Sequence, residues 1–303
     1  MKPIIFIHTN APQLVAATVG AYSLTSQSRH PESFEVRLLR LEDTPHLHRR
    51  EGERFVADGH LLTWRNRDAQ SHSLLRMMVP QILGFHGRAL VLDPDAFALG
   101  DVAELLVSDM CGKAIVCRTR PGHYGGARWH YASSVMLLDC GQLTHWRWDE
   151  RIDAIFRREM DPYPWLFLMH EPPDSIGALA EEWNHFDTLT ASTKLLHNTE
   201  RSTQPWKTGL PIDYGLDWIG AQRLRRPAMR VRLRALARRL INPPAAPPQV
   251  YQPHPDPRQE RLFFQLLREC INCGVVSEEF LSEQIRQQYL RADAFELLAR
   301  AGA

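Results

Sequence analysis

The sequence predicts an α/β protein in which a mainly parallel sheet is flanked by helices, and three observations carry that expectation. Short apolar runs recur at residues 4–7 (IIFI), 89–92 (ALVL), 114–117 (AIVC) and 134–138 (SVMLL), each the length of a buried strand. Between them lie stretches with apolar residues at helical spacing, as at 14–24 and 73–83. At 303 residues the chain is also long enough to bury a sizeable core in one large or two ordinary domains.

The elements follow in order. Residues 4–7 read as a first buried strand that stops at His8-Thr9-Asn10. A helix of small and apolar residues covers 14–24, and FEVRL at 34–38 alternates like a half-buried strand. Residues 73–83 read as a helix with Arg76 in its first turns, and Pro80 marks a kink or an early end. The strand at 89–92 runs straight into Asp93-Pro94-Asp95, and 114–117 and 134–138 supply two more strands. Beyond Gly209 the character changes: residues 221–239 hold eight arginines and no acid, and a Pro-rich connector spans 242–257. A tail follows in which Leu262, Phe263, Leu266 and Leu267 recur at helical spacing. The expected organisation is a core domain at 1–215, a basic helix and linker at 216–257, and a helical tail at 258–303.

A net charge of +1, with 44% apolar and 23% charged residues, describes a globular protein with no global attraction to nucleic acid. The apolar start is too short for a signal-peptide core and no run approaches 18 apolar residues, so cytoplasmic residence is expected. Five scattered cysteines argue against a disulfide framework, and Cys270-Ile-Asn-Cys273 lacks the second pair of a zinc site, so buried thiols are expected there. In the arginine segment Leu224, Met229, Val231, Leu233 and Leu236 interleave with the charges, a pattern suited to anionic lipid at the inner membrane face. A solvated face paired with Glu278, Glu279 and Glu283 is the plainer alternative; the aromatic residues of a nucleic-acid stacking surface are missing.

The chemistry concentrates at Asp93 and Asp95. Acids do cluster at strand ends, but two carboxylates closing a buried strand of an α/β sheet face the crevice where such sheets bind ligands. Hard divalent cations bind protein through one or two carboxylates plus substrate phosphates. A strand followed by DxD also occurs in haloacid-dehalogenase-type phosphohydrolases, where the first Asp is a nucleophile. There the motif opens the fold and a Thr or Val follows two residues on; here that place is Phe97 and a long α/β stretch precedes.

Six blocks in order resemble glycosyltransferase family 8, the group of glycogenin and bacterial galactosyltransferases, over residues 3 to about 209. They are IIFIHTN, SLLRMMVP around Arg76, LVLDPDAFALGDVAELL, YASSVMLLD around Ser133, Glu182-Trp183-Asn184, and the late block of Lys194-Leu195-Leu196-His197 with Gln204-Pro205-Trp206-Lys207. The resemblance implies a GT-A fold, a Rossmann-like nucleotide-sugar-binding sheet flanked by helices, here with a C-terminal helical extension. It implies Mn²⁺ (or Mg²⁺) held by Asp93, Asp95 and His197 on a UDP-sugar diphosphate. It places Thr9 and Asn10 near the nucleoside, Ser133 by the donor sugar and Arg76 as a donor contact; the family's diphosphate-binding Lys falls near Thr203 or Gln204, with Arg201 or Lys207 as the candidate substitute. It also implies transfer with retention to a hydroxyl of a glycan or lipid-linked acceptor. The family's Gly before the Val of its third strand is Ser134 here, the Gly three residues after its metal His is Glu200, and its Asp-Gln pair has no clear counterpart. Glu171 and Asp174 are the nearest candidates for that catalytic position, and a protein that binds a sugar nucleotide without transferring it stays open beside the enzyme.

Overall fold

The computed structural model describes residues 2–121, 129–215, 222–223 and 249–301. Its centre is a six-stranded mixed sheet in the order β2-β1-β5-β8-β7-β9. The strands are β1 (Ile4–Thr9), β2 (Glu35–Arg40), β5 (Arg88–Leu92), β7 (Ile115–Pro121), β8 (Trp129–Asp139) and β9 (Ile176–Ala178). Every pairing is parallel except those of β8, which runs antiparallel to both β5 and β7. The 134–138 run therefore belongs to a long reversed strand inside an otherwise parallel sheet.

Continuous apolar runs are what a strand covered on both faces requires. Along β1 and β5, Ile4, Phe6, Ala89 and Val91 point into one core, and Ile5, Ile7, Leu90 and Leu92 into the other. Each of these buried side chains larger than Ala contributes about 1.5–3 kcal/mol of transfer free energy. Helix α1 (Leu14–Ser26) is sandwiched: Ala17 and Leu24 face the sheet, while Val15, Ala16 and Val19 face the C-terminal tail. A helix covered on two sides is apolar nearly all round, and where it meets the sheet it must be thin. An added Cβ on Gly20 would lie 2.8 Å from the Ala96 carbonyl oxygen.

Two small sheets flank the centre. β6 (Ala96–Ala98) follows Asp95 and pairs antiparallel with β11 (Leu195–His197), which pairs parallel with β10 (His185–Phe186). The hairpin of β3 (Arg54–Ala57) and β4 (His60–Thr63) pairs with β12 (Gln222–Arg223). The short helices are α2 (Pro45–His48), α3 (Val79–Ile82), α4 (Ala103–Leu106), α5 (Trp148–Phe156) and α6 (Pro162–Leu166). The stretch expected as one helix is a 3-10 helix over Ser71–Met78 that becomes α-helical only at α3. Pro80 explains the change: it has no N–H for the Arg76 carbonyl and sits as an early residue of α3.

The tail is α7 (Pro257–Asn272), α8 (Glu278–Arg286) and α9 (Ala294–Ala301). The Asp256 carboxylate accepts from the Arg258 N–H and caps α7, with Pro257 as its first residue. Phe263, Phe264, Leu267 and Cys270 pack against Val15, Val19, Phe97 and Trp206, so the tail shares a core with the sheet domain. All five cysteines are free; Cys270 is a core thiol pushed up to about 12 by burial, whereas Cys273 is exposed. Apart from Gln222 and Arg223, the arginine segment lies outside the described residues, as do residues 242–248 of the Pro-rich connector. Among the described residues no helix is long and apolar enough to cross a membrane.

Candidate active site

A cavity of about 430 Å³ opens at the C-terminal end of β5, and Asp93, Asp95 and His197 line it. The backbone dictates their meeting. β5 ends at Leu92, and the Asp93 N–H donates to the Ser134 carbonyl of β8, which fixes the turn. The chain then enters β6, whose first residue, Ala96, is the register partner of His197 on β11. The Asn198 N–H donates to the Asp95 carbonyl at 3.0 Å, closing the same corner. One ligand atom from each of the three residues lies within 4.8 Å of the others.

Each ligand is oriented from behind. The His197 Nδ1–H donates to Asn184 Oδ1 at 2.9 Å, so Nε2 faces the carboxylates, 3.2 Å from Asp95 Oδ1 and 3.8 Å from Asp93 Oδ2. Asp93 Oδ1 faces Arg76 Nη2 at 2.9 Å and His8 Nε2 at 2.8 Å, leaving Oδ2 for the triad. Arg76 also donates through Nη1 to Ser133 Oγ at 2.7 Å. Gln204 donates to Asp95 Oδ2 at 3.3 Å and accepts from Gln13 at 3.1 Å, while Asp95 Oδ1 faces the His197 ring.

The charges follow from this arrangement. Burial pushes the Asp93 carboxyl up, but Arg76 foremost, with His8 and His197, holds it well below the usual carboxylate range. Burial pulls His197 down, yet Asp95 and then Asp93 outweigh it and leave the imidazole more basic than usual. His8 goes the other way: burial outweighs Asp93 and lowers its pKa. Two carboxylates and an imidazole nitrogen whose ligand atoms converge suit a hard or borderline divalent cation such as Mn²⁺ or Mg²⁺.

The other residues singled out in the sequence divide. Arg76 and Ser133 line the cavity. Thr9 and Asn10 are fully buried behind its wall: the Asn10 amide donates to the Asp68 carbonyl and to Ser71 Oγ, and Thr9 Oγ1 donates to the Asn10 carbonyl. Lys207 is fully buried as well, its Nζ 2.5 Å from Asp213 Oδ2, and burial depresses its pKa. It does not reach the cavity; Arg120 and Arg201 do, and among the described residues neither has a carboxylate partner. Glu200 also lines the cavity, but its carboxylate turns back to Ser202 Oγ at 2.7 Å and caps a short 3-10 turn.

Glu171 and Asp174, the expected catalytic carboxylates, are not brought to the cavity. They precede β9, whose Ile176 pairs with Ile115 at the start of β7. Ile115 is level with Ala89 through Leu138, four residues before Asp93, so the two ends of the sheet are roughly 13 Å apart. The Glu171 carboxylate accepts from Trp146 Nε1 at 2.8 Å and from His145 Nε2 at 2.9 Å, and the exposed Asp174 offers its carbonyl to Lys113. The Glu171 carboxylate is thus used in packing at the opposite end of the sheet, and Asp174 lies exposed there. Conversely, sequence reasoning gave no role to His8, His72, Arg120 and Tyr251, which the structure brings to the cavity or to Asp93. A signal for His8 existed: it is the first polar residue after four apolar ones in β1, and the register Ile7–Leu92 sets it beside Asp93.

Comparison with protein-family models and with curated protein sequences returns no match. Among solved structures, the apo form of the glycosyltransferase GlyE of Streptococcus pneumoniae TIGR4 is similar at a TM-score of 0.47 and 14% identity, over 68% of this chain and 56% of that one. The galactosyltransferase LgtC in complex with donor and acceptor sugar analogues gives 0.44 and 11%, over 67% and 89%. Mouse xyloside xylosyltransferase 1 gives 0.40 and 14%, over 67% and 99%. Likenesses at these TM-scores carry no argument about activity, so the functional reading rests on the site.

Proposed function

We propose that this chain is a metal-dependent glycosyltransferase that moves a sugar from a nucleotide donor to an acceptor hydroxyl. The observation that carries this is the meeting of Asp93, Asp95 and His197, over a hundred residues apart, on one cavity wall with their ligand atoms converging. The ordered sequence blocks supply the expectation of a UDP-sugar donor and of retention.

Asp93, Asp95 and the His197 Nε2 would hold the divalent cation, which when bound offsets the negative charge of a departing nucleoside diphosphate. The chain's own residues do the rest. Arg76 keeps Asp93 ionised and aimed, and Asn184 fixes the His197 tautomer. Arg120 and Arg201 give the cavity positive charge free to meet a phosphate. Ser133, gripped by Arg76, presents a hydroxyl beside the site. Beyond the metal acids, Glu200 is the one carboxylate among the described lining residues. Its engagement with Ser202 favours a second reading, a sugar-nucleotide binder without turnover.

Calorimetry with UDP, with and without Mn²⁺, tests the shared claim. Binding is expected only with metal, and Asp95→Ala should weaken it by more than the roughly 10–100-fold typical of an outer partner. Metal-independent binding, or an unchanged Asp95→Ala, would overturn the reading. Slow hydrolysis of UDP-sugars by the pure protein separates enzyme from binder, and NMR of the released sugar's anomer reports retention.

A further inference from the structure

A second cavity, of about 190 Å³, opens off the first. The two share Gln70, Ser73, Arg76, Ser133, Phe167 and Arg201, so the annex begins where Arg76 grips Asp93. Its far wall is different in kind: Phe55, Leu62, Trp64, Leu74, Tyr163 and Leu166, drawn from the β3–β4 hairpin, the 3-10 helix before α3, and α6. Tyr163 and Phe167, which line the annex, stack almost parallel, 9° apart with ring centres at 5.8 Å.

We propose that this annex takes the apolar, ring-sized end of the acceptor, while the acceptor's hydroxyl end reaches the Asp93 side of the polar cavity. The size fits one ring, since an apolar cavity of about 150 Å³ holds benzene. The chemistry disfavours a nucleobase. The polar groups deep in the annex already have partners: Trp64 Nε1 donates to Asn66 Oδ1, and Ser71 Oγ donates to the Asn66 carbonyl and accepts from Asn10. A base inserted there would leave its own donors and acceptors buried and unpaired. An aryl or alkyl ring loses nothing and removes apolar surface from water. The assignment of this ring to an acceptor rests on the glycosyltransferase reading; the preference of the annex for an apolar ring does not.

The test uses the full chain and a neutral probe, 4-fluorobenzyl alcohol, followed by ¹⁹F NMR line broadening. The wild type should bind it with saturable broadening, and glycerol should not compete. Leu166→Trp, which fills the annex, should weaken the probe at least tenfold while leaving metal-dependent UDP binding intact. Should that variant fail to fold, Phe167→Ala removes one of the lining rings and should weaken the probe several-fold. No saturable broadening on the wild type, or equal broadening with an altered annex in a protein that still binds UDP, would overturn the proposal. Displacement of the probe by uridine would also overturn it, by assigning the annex to the donor. A probe that titrates normally in a protein with no metal-dependent UDP binding would sink the donor reading and leave the apolar site standing.

Discussion

Gln259, on helix α7 of the tail, is 1% exposed and touches the loop that carries His197. Its Nε2 donates to the Asp187 carbonyl at 2.8 Å, and its Oε1 accepts from the Nδ2 of Asn198, the residue after His197. In Gln259→Ala both partners lose their bond inside the protein. Each orphaned buried group costs about 1–3 kcal/mol, so a total near 3 kcal/mol is expected. With a urea m-value of about 3 kcal/mol/M, the unfolding midpoint should fall by about 1 M. The second readout is function: with Asn198 untethered, the corner it forms with Asp95 loosens, and Mn²⁺ affinity by calorimetry should drop about tenfold, within the range for an outer partner. Asn198→Ala combined with Gln259→Ala should cost less than the sum of the single changes, because the donor and its acceptor leave together. A midpoint unchanged within about 0.2 M would refute the energetic argument. A lowered midpoint with unchanged Mn²⁺ affinity would refute the claim that the tail positions the site.

Two further outcomes follow from the packing and the charges. Gly20→Ala improves helix propensity by about 1 kcal/mol, but its Cβ would sit 2.8 Å from the Ala96 backbone oxygen, which cannot move without displacing the partner of His197. The contact should win, with a net loss of about 1–2 kcal/mol in urea unfolding; a gain would refute it. The pH dependence has a defined sign. In the metal-free protein the His197 pKa lies above its usual 6.5, so its stabilising contribution is complete below about 6.5 and is lost as pH rises through the folded value. Metal needs the unprotonated Nε2, so Mn²⁺ affinity should fall about tenfold per pH unit below that value, against the stability trend of the metal-free protein. Calorimetry and urea midpoints across pH 5–9 check both, and affinity independent of pH would refute His197 as a ligand.

By itself the sequence determined the elements and the acids. Runs such as IIFI and ALVL declare strands buried on both faces, because only a covered strand tolerates apolar residues at consecutive positions. Asp93 and Asp95, closing such a strand, are legible as residues at a sheet edge beside a crevice. What local pattern cannot hold is register between distant segments. His197 joins the acids only because β11 pairs with β6 at Ala96, and His8 joins them only because β1 lies parallel to β5. The pairing of β9 with β7 carried Glu171 and Asp174 to the opposite end of the sheet, where a one-dimensional distance from the motif gave no warning. Lys207 illustrates the electrostatic side: a lysine in the late block looks available for a phosphate, but folding buries it against Asp213, and a paired buried cation cannot also reach the cavity. Residue types and periodicity decide what each segment can be, whereas the site's membership is set by pairings between segments, and those exist only once the chain has folded.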